Sequence, residues 1–262
     1  SSGALYHLDL AGNELRGPVP ELPPGSTLDT LYLQRNALSG TLPRSLFAGS
    51  ALTRLSAARN ALVGTIPREL ATSAPGLRML DLHGNSLEGS IPAGWVPGAA
   101  GLSWLDLGHN RLSGVVPPGL GHNPLMALYV DHNDLTGTWP AEVARPETYW
   151  LMAGSNALTG ALPDSLRHIG AISGEPVTRE DGAVLSALLD FSGNQLTGHV
   201  PEWLKAGAVP ASTTVLLAGS GLRCDGPGYD HIPGLLCGTA QDEAPPPPHD
   251  NPRAAAAPRP PP

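Results

Sequence analysis

The chain has 262 residues and carries 15 Lys and Arg against 23 Asp and Glu, a formal charge of −8. That balance argues against nucleic acid as a partner, because phosphate-binding surfaces need clustered basic side chains, and no apolar run approaches the roughly 18–20 residues that span a bilayer. Its 32 glycines and 29 prolines would suit a disordered or collagen-like chain, yet both recur with a longer period that points elsewhere.

The period is carried by Asn13, Asn36, Asn60, Asn85, Asn110, Asn133, Asn156 and Asn194, spaced by 23, 24, 25, 25, 23, 23 and 38 residues. Each is followed by leucine at +2, glycine at +4 and proline at +7, for example Leu112, Gly114 and Pro117 after Asn110. Apolar residues occupy −5 and −3, as Leu105 and Leu107 do. Self-similarity of this length predicts a solenoid in which a unit buries its apolar face only against its neighbours. The alternating apolar residues predict a short strand with one buried face. Asparagine, with a donor and an acceptor on one short side chain, suits a ladder that satisfies the backbone of a buried turn. Glycine fits where φ is unusual or another segment comes close, and proline opens the return leg where no N–H is needed. Three residues past the prolines, Leu46, Leu70, Trp95, Leu120, Val143, Leu166 and Leu204 are predicted to plug the core from the far side.

The pattern L-x-x-L-x-L-x-x-N-x-L-x-G-x-x-P over about residues 5–222 resembles the plant-type leucine-rich repeat, and residues 102–117, LSWLDLGHNRLSGVVP, lie close to that consensus. The resemblance implies an α/β-type repeat solenoid that is mostly β. Its shape would be a curved superhelix with a parallel sheet on the concave side and irregular or 3₁₀ segments on the convex side. It also implies an extracellular setting, at the cell surface or cell wall, and a binding or scaffolding role. No G-x-S-x-G, H-E-x-x-H, P-loop or calcium-loop motif is present, and a solenoid surface lacks the closed pocket that catalysis favours. Neither catalysis nor a cofactor is expected.

Along the chain, the first unit begins by Leu5 with no preceding cap and no cysteine pair. An uncapped unit exposes apolar edge, so a fragment is expected, or a second chain covering this edge. No signal peptide opens the sequence either, as in a mature form or a fragment. From there on, residues at −7, −6, −4, −2 and −1 flank the buried strand residues and are predicted to face the concave surface. Tyr32 falls there in the second unit, Met79 in the fourth and Trp104 in the fifth. Met126 and Tyr129 do so in the sixth, and Tyr149, Trp150 and Met152 in the seventh. Large apolar side chains on an otherwise wet sheet mark an interaction site, which makes these eight the predicted ligand-binding residues.

Trp104 and Trp150 share column −6 two strands apart, about 9–10 Å between backbones, with Ala127 between them. That predicts a slot walled by two indoles and floored by a methyl group, suited to a proline ring, a sugar or an aromatic side chain. Nearby, Asp81, His83, Asp106, His109, Asp131 and His132 offer oxygen and nitrogen donors. Aspartate at −4 is ordinary in the resembled family, however, and no metal site is predicted. Trp95, Trp139 and Phe191 fall in core columns, Trp203 on the convex surface and Tyr229 in the loop after the last unit.

The 38-residue interval holds a polar, turn-rich surplus near 167–184. Insertions in solenoids emerge as loops, either on a functional face or simply tolerated. In a degenerate ninth unit Val215 and Leu217 hold the strand columns, while Ser220 replaces the asparagine and Cys224 the glycine. Cys224 and Cys237 are the only two cysteines. Either they stay buried thiols or they form a disulfide worth roughly 3 kcal/mol. The bonded pair would resemble the C-terminal cysteine caps of the family and favour an oxidising compartment.

The expected division is therefore a solenoid over 1–222, a cap over 223–238 and a tail over 239–262. The tail has nine prolines in 24 residues and is predicted to be extended polyproline II. Such runs resemble hydroxyproline-rich wall glycoproteins, which implies O-linked sugar after hydroxylation at Pro245, Pro246, Pro247, Pro248, Pro260, Pro261 and Pro262. N-linked sugar is not expected, since no asparagine is followed by x-Ser or x-Thr.

The predicted function is a non-catalytic extracellular scaffold that binds a protein, a peptide, or a Pro-rich or glycosylated segment on its concave face. The alternative is a structural subunit of a matrix, cell wall or surface filament, self-assembling through repeat ends and Pro-rich tails.

Overall fold

The computed structural model describes residues 4–95, 101–170, 187–205, 213–224, 226–232 and 235. Each unit opens with a short strand, from His7–Asp9 in the first to Thr213–Leu216 in the ninth. Because every unit repeats the same apolar column, neighbouring strands align without slip. Leu31, Leu55, Leu80, Leu105, Leu128, Leu151 and Leu189 stand opposite one another in turn. The result, among the described residues, is a nine-stranded parallel sheet laid down in chain order. Those leucines are at most 1% exposed and belong to one continuous apolar core. Burying each contributes roughly 1.5–3 kcal/mol, and only stacking makes the burial available.

Asn110 illustrates how the turn after the strand is held. Its Nδ2 donates to the Leu107 carbonyl of its own unit (3.1 Å) and to the Leu82 carbonyl of the preceding one (3.0 Å). Its Oδ1 accepts the Leu87 N–H (3.0 Å). The same three contacts recur at Asn36, Asn60, Asn85, Asn133, Asn156 and Asn194. At the ninth unit the ladder stops, and the Leu196 N–H goes to the backbone carbonyl of Ser220 instead (2.7 Å).

The residue just before the asparagine column is left-handed in all nine units. Gly12, Arg35, Arg59, Gly84, His109, His132, Ser155, Gly193 and Gly219 have φ between 51° and 68°. A side chain there costs on the order of 1 kcal/mol relative to glycine. Column −1 mixes Gly, Arg, His and Ser, so its conformation cannot be read from residue type.

Past the turn runs, among the described residues, a second parallel sheet of eight strands, from Arg16–Pro18 to Gln195–Leu196. This sheet adds to the expected architecture of a parallel concave sheet with irregular or 3₁₀ segments behind it. The +1 to +4 segments lie level with their neighbours, so their backbone groups pair in a ladder rather than with water. Glycine at +4 permits it: Gly64 has φ +76°, and a Cβ there would stand 2.9 Å from Cγ2 of Thr41 in the preceding unit.

The rest of the far side follows expectation. It consists of 3₁₀ turns at Arg44–Leu46, Pro118–His122, Ala141–Val143, Asp164–His168 and Glu202–Leu204, with an α turn at Glu69–Thr72. The seven predicted plug residues, Leu46 through Leu204, are buried beneath them. Trp139 and Phe191 meet edge to face in the core, 5.0 Å apart. Trp203, expected on the convex surface, is partly buried against the core. Tyr229 is more than a loop residue: it is buried, and its hydroxyl donates to the Val200 carbonyl (3.2 Å). Cys224 is buried too. Cys237, positions 171–184 of the insert, and prolines 245–248 and 260–262 lie outside the described residues. Among those residues no helix is long and apolar enough to cross a membrane.

Candidate functional site

The strands place the predicted binding residues on the outer surface of the nine-stranded sheet. Tyr32, Met79, Trp104, Tyr129, Trp150 and Met152 lie within strands beside a buried leucine. Met126 and Tyr149 come one position earlier. All are half-buried except Met126, which is exposed. Register sets Met79, Trp104, Ala127, Trp150 and Leu188 in one row, and Asp106, Tyr129, Met152 and Asp190 in the next. Tyr32 stands apart, three strands from Trp104, with its ring against His7 at 5.7 Å.

The predicted slot is closed. Trp104 and Trp150 keep the expected backbone spacing, but their rings lean together until the centroids are 6.3 Å apart at 46°. A ring inserted between two others needs about 7 Å, twice the van der Waals contact distance. Ala127 beneath them is fully buried. Tyr129 packs on Trp104 at 5.2 Å, and Tyr149 on Trp150 at 6.3 Å. Burying shared ring surface drives this collapse, and tilted pairs at such distances are favourable in themselves. What remains is a continuous platform of four rings, with Met79, Met126 and Met152 around it.

One flank of the platform is acidic and imidazole-rich. The rings of His83, His109 and His132 follow one another across three strands, at 4.9 Å and then 4.0 Å, the second pair stacked within 10° of parallel. His83 Nδ1 lies 3.5 Å from Asp106 Oδ1, His109 Nε2 lies 3.6 Å from Asp131 Oδ2, and His132 Nδ1 lies 2.9 Å from that same oxygen. Burial pushes the Asp106 carboxyl up to about 6; the nearby charges of Asp81 and Asp131 add to this, while the Gly108 N–H and His83 oppose it. Burial, aided by Asp106 and Asp131, also pushes the Tyr129 hydroxyl up to about 12. His109, Asp131 and His132 each present a metal-type ligand atom, all within 4.8 Å of one another. Next to this flank is a shallow trough of about 580 Å³, lined by Arg35 and Arg59 as well as Asp81 and Asp106.

Sequence reasoning placed the aromatic residues but missed how the polar flank is built. Asp81 and Asp106 hold the ordinary −4 position, and each accepts the backbone N–H two residues on. Asp131 is different. It sits at −2, where the other units carry mostly Ala, Gly or another neutral residue. Two histidines in succession at −1 and one aspartate at −2 were the available signal.

Residues 75–135 and 188–206 match family models described as leucine-rich repeat. No curated protein sequence matches the chain. Among solved structures, PEPR1–AtPEP1 is 25% identical, covering 87% of this chain and 30% of that one, with a TM-score of 0.71. The Arabidopsis receptor kinase HAESA, in complex with the peptide hormone IDA and the co-receptor SERK1, is 23% identical, covering 90% and 43%, with a TM-score of 0.65. A plant ice-binding protein is 21% identical, covering 90% and 76%, with a TM-score of 0.55. The chain thus spans less than half of the first two of these chains. Together with the two sheets in chain order, these likenesses establish the fold as a curved leucine-rich-repeat solenoid.

Proposed function

We propose that this leucine-rich-repeat solenoid is a non-catalytic extracellular scaffold that binds a protein or an extended peptide across its concave face. The platform of Trp104, Tyr129, Tyr149 and Trp150 is the anchor, Met79, Met126 and Met152 its adaptable rim, and Tyr32 with the Arg35–Arg59 trough its polar extension. One observation carries this reading: four rings in mutual contact remain half exposed on a sheet whose other outward columns are mostly polar or small. Contacting Trp and Tyr residues are where binding energy concentrates in interfaces. HAESA with its peptide hormone supports the ligand class.

A proline-rich or sugar-bearing segment suits the platform, because proline and sugar rings can stack on flat aromatic faces without a slot between them. In the same reading Cys224 and Cys237 form a disulfide cap over 223–238, closing the solenoid of 1–222. The tail over 239–262 is an extended, hydroxylated and O-glycosylated segment of that class.

The test begins with a random-peptide library panned against the folded chain. For the enriched peptides, Trp104→Ala combined with Trp150→Ala is expected to weaken binding at least about tenfold, the loss typical of removing interface anchors, with circular dichroism unchanged. Unaltered affinity in a folded double variant would remove the platform from recognition.

A further inference from the structure

Beside the platform, a second group of side chains has a chemistry that peptide recognition does not use. We propose that His109, Asp131 and His132 form a binding site for a divalent transition-metal ion of the zinc class on the concave face.

The argument begins with the backbone. His109 and His132 are the −1 residues of adjacent units, with φ of 53° and 51°, and their N–H groups donate to the carbonyls of Asp131 and Gly154, each at 2.9 Å. The carboxamides of Asn110 and Asn133 lock the turns directly after them. Both imidazoles therefore rise at the same height from neighbouring strands, which is why their rings stack at 4.0 Å. Asp131, only 6% exposed, turns Oδ2 toward both of them, at 2.9 and 3.6 Å. In a tetrahedral shell with bonds of about 2.1 Å, ligand atoms stand about 3.4 Å apart. The two distances bracket that value, and closing a shell around an ion requires the stacked imidazoles to turn out of parallel so that both nitrogen lone pairs meet at one point.

Charge and donor type agree with this assignment. Asp81, Asp106 and Asp131 crowd one flank, and the latter two pair with the imidazoles of His83, His109 and His132. A dication would relieve their mutual repulsion. Two nitrogens and one carboxylate select zinc-class ions over calcium or magnesium, which prefer all-oxygen shells. Gly108 leaves the room required: a Cβ there would lie 2.8 Å from Asp131 Oδ1 and 3.3 Å from both Asp106 Oδ1 and His83 Nδ1. Asp106 and His83 thus stand behind the site as supporting charge. The side chains of His109 and His132 are 43% and 53% exposed, which opens the remaining coordination positions to the groove, for water or for a donor from a bound partner.

The test uses the full chain, stripped with a chelator and titrated with Zn²⁺ alone by calorimetry, then with Co²⁺ by visible absorption. One site of micromolar affinity is expected, with the ligand-field bands of a low-coordinate cobalt ion. His109→Gln and His132→Gln, both at half-exposed positions that leave the core intact, are each expected to weaken Zn²⁺ at least about tenfold. His231→Gln, remote from the cluster, should leave affinity unchanged. Lack of a single-site isotherm, or one that survives both cluster variants, overturns the assignment whatever happens to peptide binding.

Discussion

A carboxamide in the asparagine column ties the backbone of its own unit to that of the preceding one. Replacing Asn110 by Ala removes all three contacts from a buried turn: the Leu82 and Leu107 carbonyls keep only the Asn85 and Asn133 carboxamides, and the Leu87 N–H loses its acceptor. The expected loss is about 2–4 kcal/mol, read as a fall in melting temperature of roughly 5–15 °C. Asn13, in the first described unit, donates to the Leu10 and Ala11 carbonyls of its own turn and is exposed. Asn13→Ala should therefore cost less than about 1 kcal/mol, and equal losses at the two positions would mean that the ladder is not what holds the turns.

Asp106 gives a prediction of opposite sign. Its carboxyl, raised to about 6 by burial, binds a proton more tightly in the folded chain than in the unfolded one. Stability linked to it is greatest below the ordinary carboxylate value of 3.8 and is lost as pH rises through about 6. Asp106→Asn keeps an oxygen for the Gly108 N–H (3.0 Å) and removes the charge. In chelator it should raise the melting temperature at pH ~7.5 and change it little at pH ~4. Destabilisation at both values would show that the His83 contact outweighs the burial of the charge.

At the scale of elements, the sheets and the far-side turns demand glycine for two distinct reasons. Gly40 has φ +78° and only an ordinary contact above it, Pro18 Cβ at 3.7 Å. Gly40→Ala should therefore cost about 1 kcal/mol from backbone strain alone. Gly121 lies in the buried 3₁₀ turn Pro118–His122, where a Cβ would run into the Glu142 backbone carbonyl of the next far-side turn. Backbone cannot rotate aside as a side chain can. Gly121→Ala is expected to cost about 3 kcal/mol or more, since overpacking here forces two turns apart. Denaturant midpoints on the two variants check the difference, and similar values would mean that the turns have slack between them.

Across the whole molecule, units touch only their neighbours, so stability is close to a sum of unit-to-unit interfaces. Tyr229, buried against the last of them with its hydroxyl on Val200, is the plug at that end. Tyr229→Ala should cost about 3 kcal/mol and act locally. Hydrogen exchange would quicken first at the Phe191 and Gly193 amides, which bond to the ninth unit, and leave the Leu82 and Leu107 amides protected. Uniform loss of protection would instead mean that the array unfolds as a single block.

Much of this architecture was legible because it repeats at fixed offsets. The asparagine, leucine, glycine and proline columns, the strand before them and the plugs behind them each recur, and recurrence separates a structural role from chance. By itself the sequence determined the solenoid, the continuous core and the outward position of Trp104, Tyr129 and Trp150. Only the tertiary structure decided that the far wall is a second sheet, that column −1 is left-handed, that the two indoles close over Ala127, and that Asp131 turns its carboxylate between two imidazoles. The physical reason is common to all four. Each depends on side chains or peptide groups in strands about 4.8 Å apart but more than 20 residues distant in sequence, and no single column records how neighbouring units settle against one another.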